Sequence, residues 1–372
     1  MAVASASALS ADPRIVLITG CSAGGIGHHL ALEFAAQGCR VFAGVRTLSK
    51  AQALAENTPR IEVIELNITD AGSVDAAVAH ILAATNGWGI DVLVNNAGVF
   101  CVGPAAEVPA SQVQQAFDTN VIGLARMCRA VAPAMIDRRQ GTIVNVGSVS
   151  GYVATPWVGC YAATKAAVHA YSDALRMELR PFGVRVVVVA PGSITSNLVA
   201  NHSADLLLLL DDDAAAETRY LAARPAVEAR AALSQASDST PADLFARTVV
   251  PQILCSSTTS PPAYITCGTH SAAMWLLYYV PPVIRDYLLG RRFGTHQLER
   301  DVGKKSAAAS KACPVSGRRS TGSSGGACPM SSSSLSRSAP SCPIASPAAL
   351  WVALAAAAVA VGATYVMGGG DR

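Results

Sequence analysis

Charged and aromatic side chains are scarce in this 372-residue sequence: 14% of residues are charged and 5% aromatic, whereas 51% are hydrophobic. The small net charge of +3 is unevenly placed, because residues 303–347 hold six basic residues and no acidic ones. The rest of the chain is left at about −3, so its charge does not indicate a basic nucleic-acid-binding face. The six basic residues are Lys304, Lys305, Lys311, Arg318, Arg319 and Arg337.

The ten cysteines lack any C-x-x-C or other zinc or redox spacing. We therefore expect reduced thiols and no metal site. Residues 1–13 lack both the apolar core of a secretory signal and the repeated arginines of an organelle-targeting helix. A short disordered N-terminus is the simplest interpretation of this segment.

The C-terminal region changes composition twice. Residues 303–347 are rich in Ser, Gly, Ala and Pro, which predicts a disordered linker. Residues 348–367 are uncharged and mostly apolar, and a helix of that length spans about 30 Å, the hydrocarbon thickness of a bilayer. They predict a transmembrane tail anchor, with a loosely packed Ala-rich helix as the alternative. Because the basic linker precedes the span, the preceding domain is expected on the cytosolic side.

A second apolar segment, residues 272–290, is interrupted by Pro281 and Pro282 and carries Arg285 and Asp286. These interruptions exclude a membrane span. The segment suits a helix pair in the membrane interface, or the lip of an entry site for lipids. A C-terminal helix packed on the domain is the other interpretation.

From residue 14 onward, short β-branched runs alternate with Ala/Leu-rich segments at helical spacing. This pattern predicts an α/β fold, a Rossmann-type doubly wound parallel sheet flanked by helices, over residues 14–302. Residues 193–240 interrupt the alternation and are expected to form a substrate lid, or else an ordinary surface helix. Strands are predicted near residues 14–19, 40–45, 61–66, 90–95, 141–146, 184–190 and 263–266.

Residues 18–27, ITGCSAGGIG, follow the first predicted strand and allow two interpretations. The inner GCSAG matches the G-x-S-x-G elbow of hydrolases, with Ser22 as nucleophile. The four glycines instead match a loop that holds a dinucleotide pyrophosphate at the N-terminus of a helix beginning near Ile26. These glycines are Gly20, Gly24, Gly25 and Gly27.

Four later motifs favour the dinucleotide. They are NNAG at residues 95–98, Asn120 in DTNVIG, Ser148 in NVGS, and Tyr161 with Lys165 in YAATK. In a helix, the last two side chains share one face. With these motifs in this order, residues 14 to about 295 resemble the short-chain dehydrogenase/reductase family. The resemblance implies an NAD(P)-dependent oxidoreductase acting on CH–OH or C=O groups.

The resemblance also implies a catalytic role for each motif residue. Tyr161 would protonate the substrate carbonyl oxygen as hydride arrives, and Ser148 would hydrogen-bond that oxygen. Lys165 would lower the pKa of the phenol, ordinarily near 10, and hold the nicotinamide ribose. Asn120 would position a water beside Lys165, although a packing or capping amide is the alternative.

Cofactor choice is predicted from the residue after the second strand. Arg46 suits a 2′-phosphate, where an acidic side chain would favour NAD, so NADPH/NADP is the expected cofactor. Asn67 stands where the family usually has Asp near the adenine. The predicted cofactor-binding residues are Gly20, Ser22, Gly24, Gly25, Ile26, Gly27, Arg46, Asn67, Ile68, Asn95, Ala97, Gly98, Tyr161, Lys165, Pro191, Gly192, Ile194 and Thr195.

The substrate is predicted from TGCS-x-GGIG, FAR-x-VV at 245–250 and RRFG at 291–294. Within the family these resemble 1-acyl-dihydroxyacetone-phosphate reductases of the endoplasmic reticulum and lipid droplets. We expect a membrane-bound, homodimeric reductase of a lipid carbonyl at one of those membranes, which makes 1-acylglycerol 3-phosphate. A retinoid or 17β-hydroxysteroid dehydrogenase, a serine lipase or esterase using Ser22, and a membrane-tethered binding protein with an inactive site remain alternatives.

Overall fold

The structure, a computed structural model, describes residues 13–56, 58–196, 218–255 and 262–312, with side chains as far as residue 303. The predicted N-terminal segment up to residue 12, most of the linker, and the predicted anchor at 348–367 lie outside these residues. Of the helices described, none is both long and apolar enough to cross a membrane.

Strands and helices alternate as the sequence predicts, and all seven predicted strands are confirmed within two residues at each end. The strands are β1 (Ile15–Thr19), β2 (Arg40–Val45), β3 (Ile61–Glu65), β4 (Val92–Asn95), β5 (Gly141–Val146), β6 (Val184–Pro191), β7 (Ile194–Thr195), β8 (Thr240–Pro241) and β9 (Tyr264–Cys267). The helices are α1 (Ile26–Ala36), α2 (Gln52–Glu56), α3 (Ala71–Ala84), α4 (Ala110–Phe117), α5 (Leu124–Asp137), α6 (Gly159–Leu179), α7 (Arg224–Ala231), α8 (Ala242–Leu254), α9 (Ser271–Tyr278), α10 (Pro282–Arg292) and α11 (Thr295–Ala312).

Seven strands form one parallel sheet in the order β3-β2-β1-β4-β5-β6-β9. The chain moves outward from β1 to β3 on one side and then crosses back to β4 on the other. The strand order therefore reverses beside β1, and in such sheets the crevice at the carboxyl ends of the strands at this point is the usual ligand site.

Both faces of the sheet are covered. Along β1, Val16 and Ile18 belong to one buried apolar cluster and Ile15 and Leu17 to another, as the two-residue period of a strand requires. The first cluster includes side chains from α1 and α8, and the second includes side chains from α3, α5 and α6. The layers thus hold the sheet rigid beneath the crevice.

The two ends of the predicted lid segment, residues 193–240, lie side by side. They pair as β7 and β8, with Ile194 opposite Thr240. Residues 197–217 lie outside the described part, while Ala223, just before α7, and Val227 within it belong to a buried cluster with Tyr161. The described portion therefore packs over the predicted catalytic tyrosine, and its opening and closing remains a prediction.

The predicted start of the linker at residue 303 is wrong. Helix α11 runs to Ala312, ten residues past the predicted domain end at 302. The sequence of this extension, GKKSAAASKA, is rich in alanine and lysine, which are strong helix formers, and its low count of large apolar residues obscured this in the composition.

Candidate active site

A cavity of about 620 Å³ lies at the carboxyl ends of the central strands, at the predicted crevice. One part is bordered by the glycine loop after β1 and by Arg46 after β2. The other part, which we call the substrate end, surrounds Tyr161 and is closed by side chains of α7, α9 and α10. A single space therefore joins the predicted cofactor site to the predicted reaction site.

The glycine loop is shaped by close backbone contacts. Gly20 has a φ of +75°, and a Cβ there would lie 2.8 Å from Cα of Ala97. A Cβ at Gly27 would lie 2.5 Å from both the carbonyl oxygen of Gly20 and Nδ2 of Asn96. Helix α1 begins after Gly25 with no side-chain cap, so its first N–H groups are available to an anion. The loop thus fits a pyrophosphate, because a loop without side chains lets an anion reach the N–H groups at the start of α1.

Most of the predicted site residues line this cavity. They are Gly20, Ser22, Gly25, Ile26, Arg46, Asn67, Ile68, Ala97, Gly98, Ser148, Tyr161, Lys165, Pro191, Gly192 and Ile194. The others do not line it: the two glycines shape the turn, the two asparagines are buried, and the threonine is exposed. They are Gly24, Gly27, Asn95, Asn120 and Thr195.

The side chain of Asn95 does not reach the cavity in this structure, and its predicted contact with the cofactor stays a prediction. Its side chain is 4% exposed, and Nδ2 donates to Oδ1 of Asn145 at 2.9 Å. The neighbouring Asn96 lines the cavity instead and ties β4 to the glycine loop through the carbonyl oxygens of Thr19 and Gly20. Since alternate residues of a strand point to opposite faces, a difference of one residue decides which amide reaches the cavity. Thr195 is exposed for the same reason, whereas Ile194 is buried.

The part of the cavity near β2 is basic. Arg46 and Lys50 both line it, and the sequence interpretation had overlooked Lys50. Lys50 ends a short turn whose last carbonyl oxygen accepts the N–H of Ala23, which joins this turn to the glycine loop. In the part of the chain that the structure describes, no Asp or Glu lines the cavity. Cations without acids fit a phosphate on the ribose rather than a free 2′-hydroxyl.

Ser148, Tyr161 and Lys165 converge on the floor of the cavity. Oγ of Ser148 accepts the N–H of Ser150 at 3.1 Å, which orients the hydroxyl at the end of β5. Tyr161 and Lys165 lie one turn apart on α6, with Nζ 5.7 Å from the centre of the phenol ring. Nζ also donates to the carbonyl oxygen of Val146 at 2.8 Å. The predicted triad is therefore assembled in one place.

The pKa of Tyr161 differs from the sequence expectation. Burial raises it above its ordinary value, and this outweighs the lowering by a hydrogen bond from Ser148 and by the positive charge of Arg230. Burial also lowers the pKa of Lys165 to about 8. The phenol is thus fully protonated at neutral pH, the state that a proton donor requires.

Asn120 lies in a π-helical turn, residues 118–123, between α4 and α5. Its Oδ1 accepts the N–H of Val99 at 2.7 Å, and its Nδ2 donates to the carbonyl oxygen of Val99 and to Oγ1 of Thr164. The amide therefore links the loop after β4 to α6, the helix of Tyr161 and Lys165. This supports a positioning role, and the predicted water beside Lys165 stays a prediction. Single π turns of this kind are frequent at functional sites.

His169 is a supporting residue that the sequence interpretation missed. Its Nε2 accepts the N–H of Ser148 at 3.4 Å, and a Cβ at Gly147 would lie only 2.2 Å from that nitrogen. Burial, with a smaller contribution from Lys165, lowers the pKa of His169 to about 4, so the ring is neutral and able to accept. Its position one turn after Lys165, on the same face of α6, was the available signal.

Comparisons with known proteins agree with this geometry. A short chain dehydrogenase family pattern matches residues 14–207. An NADPH-dependent 1-acyldihydroxyacetone phosphate reductase of Schizosaccharomyces pombe is 39% identical over 185 residues, which is 50% of this chain and 61% of that protein. The reductase of the same name from Saccharomyces cerevisiae is 31% identical over 303 residues, 80% of this chain and 98% of that protein.

Among solved structures, the closed form of a serine dehydrogenase complexed with NADP+ is 26% identical, with a TM-score of 0.57. The comparison covers 68% of this chain and 94% of that chain. The family match alone spans more than half of the sequence, and its range includes the glycine loop, Ser148, Tyr161 and Lys165. The chain therefore belongs to the short chain dehydrogenase family of oxidoreductases.

Proposed function

We propose that this protein is a membrane-associated, NADPH-dependent reductase of a lipid carbonyl, most specifically one that converts 1-acyl-dihydroxyacetone phosphate to 1-acylglycerol 3-phosphate. The observation that carries the proposal is the cavity itself, in which the Ser148–Tyr161–Lys165 cluster faces a substrate end with apolar walls. Met274, Leu277 and Leu289 line that end. Apolar walls around a few convergent polar groups are typical of small-molecule sites, and an apolar end suits the acyl chain of a lipid.

The residues present fit NADPH. The glycine loop leaves room for the pyrophosphate beside the N-terminus of α1, and Arg46 and Lys50 supply cations for a 2′-phosphate. The two reductases named above are NADPH-dependent, and the serine dehydrogenase was solved with NADP+. When bound, this cofactor supplies the hydride for the carbonyl carbon.

The chain's own residues then provide the proton and its control. Tyr161 donates the proton of its hydroxyl to the carbonyl oxygen, and Ser148 hydrogen-bonds the same oxygen. Lys165, held by Val146, presents a cation to the ribose hydroxyls and to the phenolate that remains. His169 holds the backbone at Ser148, and Asn120 holds α6 through Thr164.

The serine hydrolase alternative receives no support from the geometry. Within the described part of the chain, no histidine hydrogen-bonds Ser22, and the buried Nδ1 of the nearby His28 has no hydrogen-bond partner. A nucleophilic serine requires a base within hydrogen-bonding reach. An inactive binding protein is disfavoured by the assembled catalytic cluster.

The proposed membrane contact lies on α9, on α10 and on the turn between them, whose exposed side chains fit the predicted interfacial segment. Trp275, Tyr279 and Val283 are 41%, 59% and 83% exposed. Amphipathic aromatic rings are typical of the headgroup region of a membrane. We propose the endoplasmic reticulum membrane or a lipid droplet, with the domain on the cytosolic side. We also propose a homodimer, on the family resemblance alone; a purely monomeric species in sedimentation would contradict it.

Flotation with phosphatidylcholine vesicles tests the membrane contact. We expect the chain lacking residues 348–367 to float with the vesicles, and the double variant Leu276→Glu, Val283→Glu to lose most of this binding, since charges in the interface are costly. Leu244→Glu is the matched control, because Leu244 is an exposed leucine (49%) on α8. Equal flotation of both variants would remove α9 and α10 from the proposal.

Oxidation of NADPH by the detergent-solubilised full chain tests the reaction. We expect turnover with 1-acyl-dihydroxyacetone phosphate to exceed that with retinal or a 17-ketosteroid by at least about tenfold in kcat/KM, which corresponds to about 1.4 kcal/mol. NADH, assayed in parallel, is expected to be the poorer cofactor. A preference for retinal or the steroid would reassign the substrate and leave the catalytic cluster unchanged, whereas no turnover with any carbonyl would contradict the proposed activity.

A further inference from the structure

Two arginines face the substrate end of the cavity. Arg230 lies on α7 and Arg292 ends α10, and both line the cavity. Their Cζ atoms lie 5.6 Å and 5.7 Å from the ring centre of Phe293, so the two guanidinium groups share one aromatic ring. Within the described residues, no carboxylate forms an ion pair with either arginine. Like charges at one end of a cavity repel, and a bound anion would offset that repulsion.

Arg230 is held in a fixed orientation. Its Nε donates to Oγ1 of Thr155 at 3.1 Å, and its Cζ lies 5.9 Å from the ring centre of Phe100. Thr155 is 5% exposed, and the Phe100 ring packs 4.8 Å from the ring of Tyr161. The four N–H donors on the two Nη atoms make no hydrogen bond to a described residue. They remain available to a ligand next to the catalytic tyrosine.

The partial burial of the Arg230 charge costs folding free energy. Burial lowers its pKa to about 10, which still leaves the guanidinium charged at neutral pH, and its charge acts on Tyr161. A cation in a partly buried position lowers the stability of the folded protein unless an anion lies beside it. Because no Asp or Glu among the described residues lines the cavity, that anion is expected to come with the ligand.

We propose that Arg230, assisted by Arg292, binds a phosphate monoester group carried close to the reacting carbonyl, and thereby selects phosphorylated carbonyl lipids over neutral ones. The inference rests on the proposed function and assigns the recognition of its phosphate. A planar guanidinium binds two phosphate oxygens at once, and a second arginine matches the second negative charge. Retinal and ketosteroids carry no group that would use this pair.

Steady-state kinetics on two substrates separates recognition from catalysis. The substrates are 1-acyl-dihydroxyacetone phosphate and its dephosphorylated form, 1-acyl-dihydroxyacetone. In Arg230→Met we expect kcat/KM to fall about 100-fold for the phosphorylated substrate, mainly through KM, and less than about tenfold for the neutral one. Arg230→Lys keeps the positive charge and loses the planar fork, so it should retain only part of the preference. Arg224→Met is the matched control: Arg224 lies on the same helix, 3.1 Å from Glu228, and does not line the cavity.

Binding of octyl phosphate provides a readout that does not depend on turnover. Its dissociation constant from the NADPH-saturated enzyme, followed by NADPH fluorescence, should rise about 100-fold in Arg230→Met, whereas that of 1-octanol should not differ between the two proteins. If acyl-dihydroxyacetone phosphate is not reduced but octyl phosphate still depends on Arg230, the anion site stands and the proposed substrate fails.

Two results would overturn the inference itself. One is an equal loss of kcat/KM on both substrates in Arg230→Met, which would assign Arg230 to the electrostatics of Tyr161 alone. The other is octyl phosphate binding that is unchanged in this variant. Thermal unfolding of Arg230→Met and Arg230→Lys shows whether both proteins fold, and Arg230→Lys decides the matter if Arg230→Met does not.

Discussion

Replacement of Tyr161 by phenylalanine is expected to lower the rate of carbonyl reduction about 10³-fold and to leave NADPH binding nearly unchanged. The substitution removes the hydroxyl that donates the proton and keeps the ring that packs against Phe100 at 4.8 Å. Because the ring and its burial are retained, the fold is expected to persist. Stopped-flow or steady-state oxidation of NADPH measures the rate, and NADPH fluorescence measures the binding.

A second tyrosine on the same helix serves as the control for Tyr161→Phe. Tyr171 packs against the apolar cluster beneath the sheet and does not line the cavity. Tyr171→Phe should therefore reduce the carbonyl at the wild-type rate. Wild-type turnover in Tyr161→Phe would show that another group donates the proton, and loss of NADPH binding in that variant would show that Tyr161 acts mainly on the cofactor.

The direction of the pKa shift at Tyr161 bears on how this prediction is tested. Burial raises the pKa, so the phenol stays protonated over the whole neutral range. We therefore expect reduction to be insensitive to the ionisation of Tyr161 near pH 7. The sequence motif alone pointed to a lowered value through Lys165, because a motif shows spacing and carries no information on desolvation.

Sequence patterns and the family resemblance predicted the sheet and the catalytic cluster, whereas the position of Arg230 depends on long-range packing. The alternation of strands and helices follows from periodicity and the shared helix face of Tyr161 and Lys165 from their spacing, whereas the position of Ser148 beside them follows from the family resemblance. Arg230 was not predicted, because an arginine in an Ala-rich helix has the same sequence pattern whether it faces solvent or the cavity. Its role depends on α7 folding back over Tyr161, after residues 197–217 that the structure does not describe.

The glycine loop provides the second prediction with a large effect, since Gly27→Ala is expected to weaken NADPH binding about 10- to 100-fold. The added Cβ would lie 2.5 Å from the carbonyl oxygen of Gly20, and overpacking of this kind costs about 1–3 kcal/mol. The backbone at Gly20 has to move away, and with it the first turn of α1, whose N–H groups would hold the pyrophosphate.

Gly72→Ala is the matched control for Gly27→Ala. Gly72 also lies near the start of a helix, α3, and a Cβ there meets only Oδ1 of Asp70 at 3.6 Å, an ordinary contact. This variant should bind NADPH like wild type and unfold at an equal or slightly higher temperature, because alanine favours the helix. If Gly27→Ala bound NADPH normally while its unfolding temperature fell, the glycine would serve packing alone. Loss of binding in Gly27→Ala, without a comparable loss in Gly72→Ala, would tie the ITGCSAGGIG loop to the dinucleotide and leave Ser22 as part of its phosphate cradle.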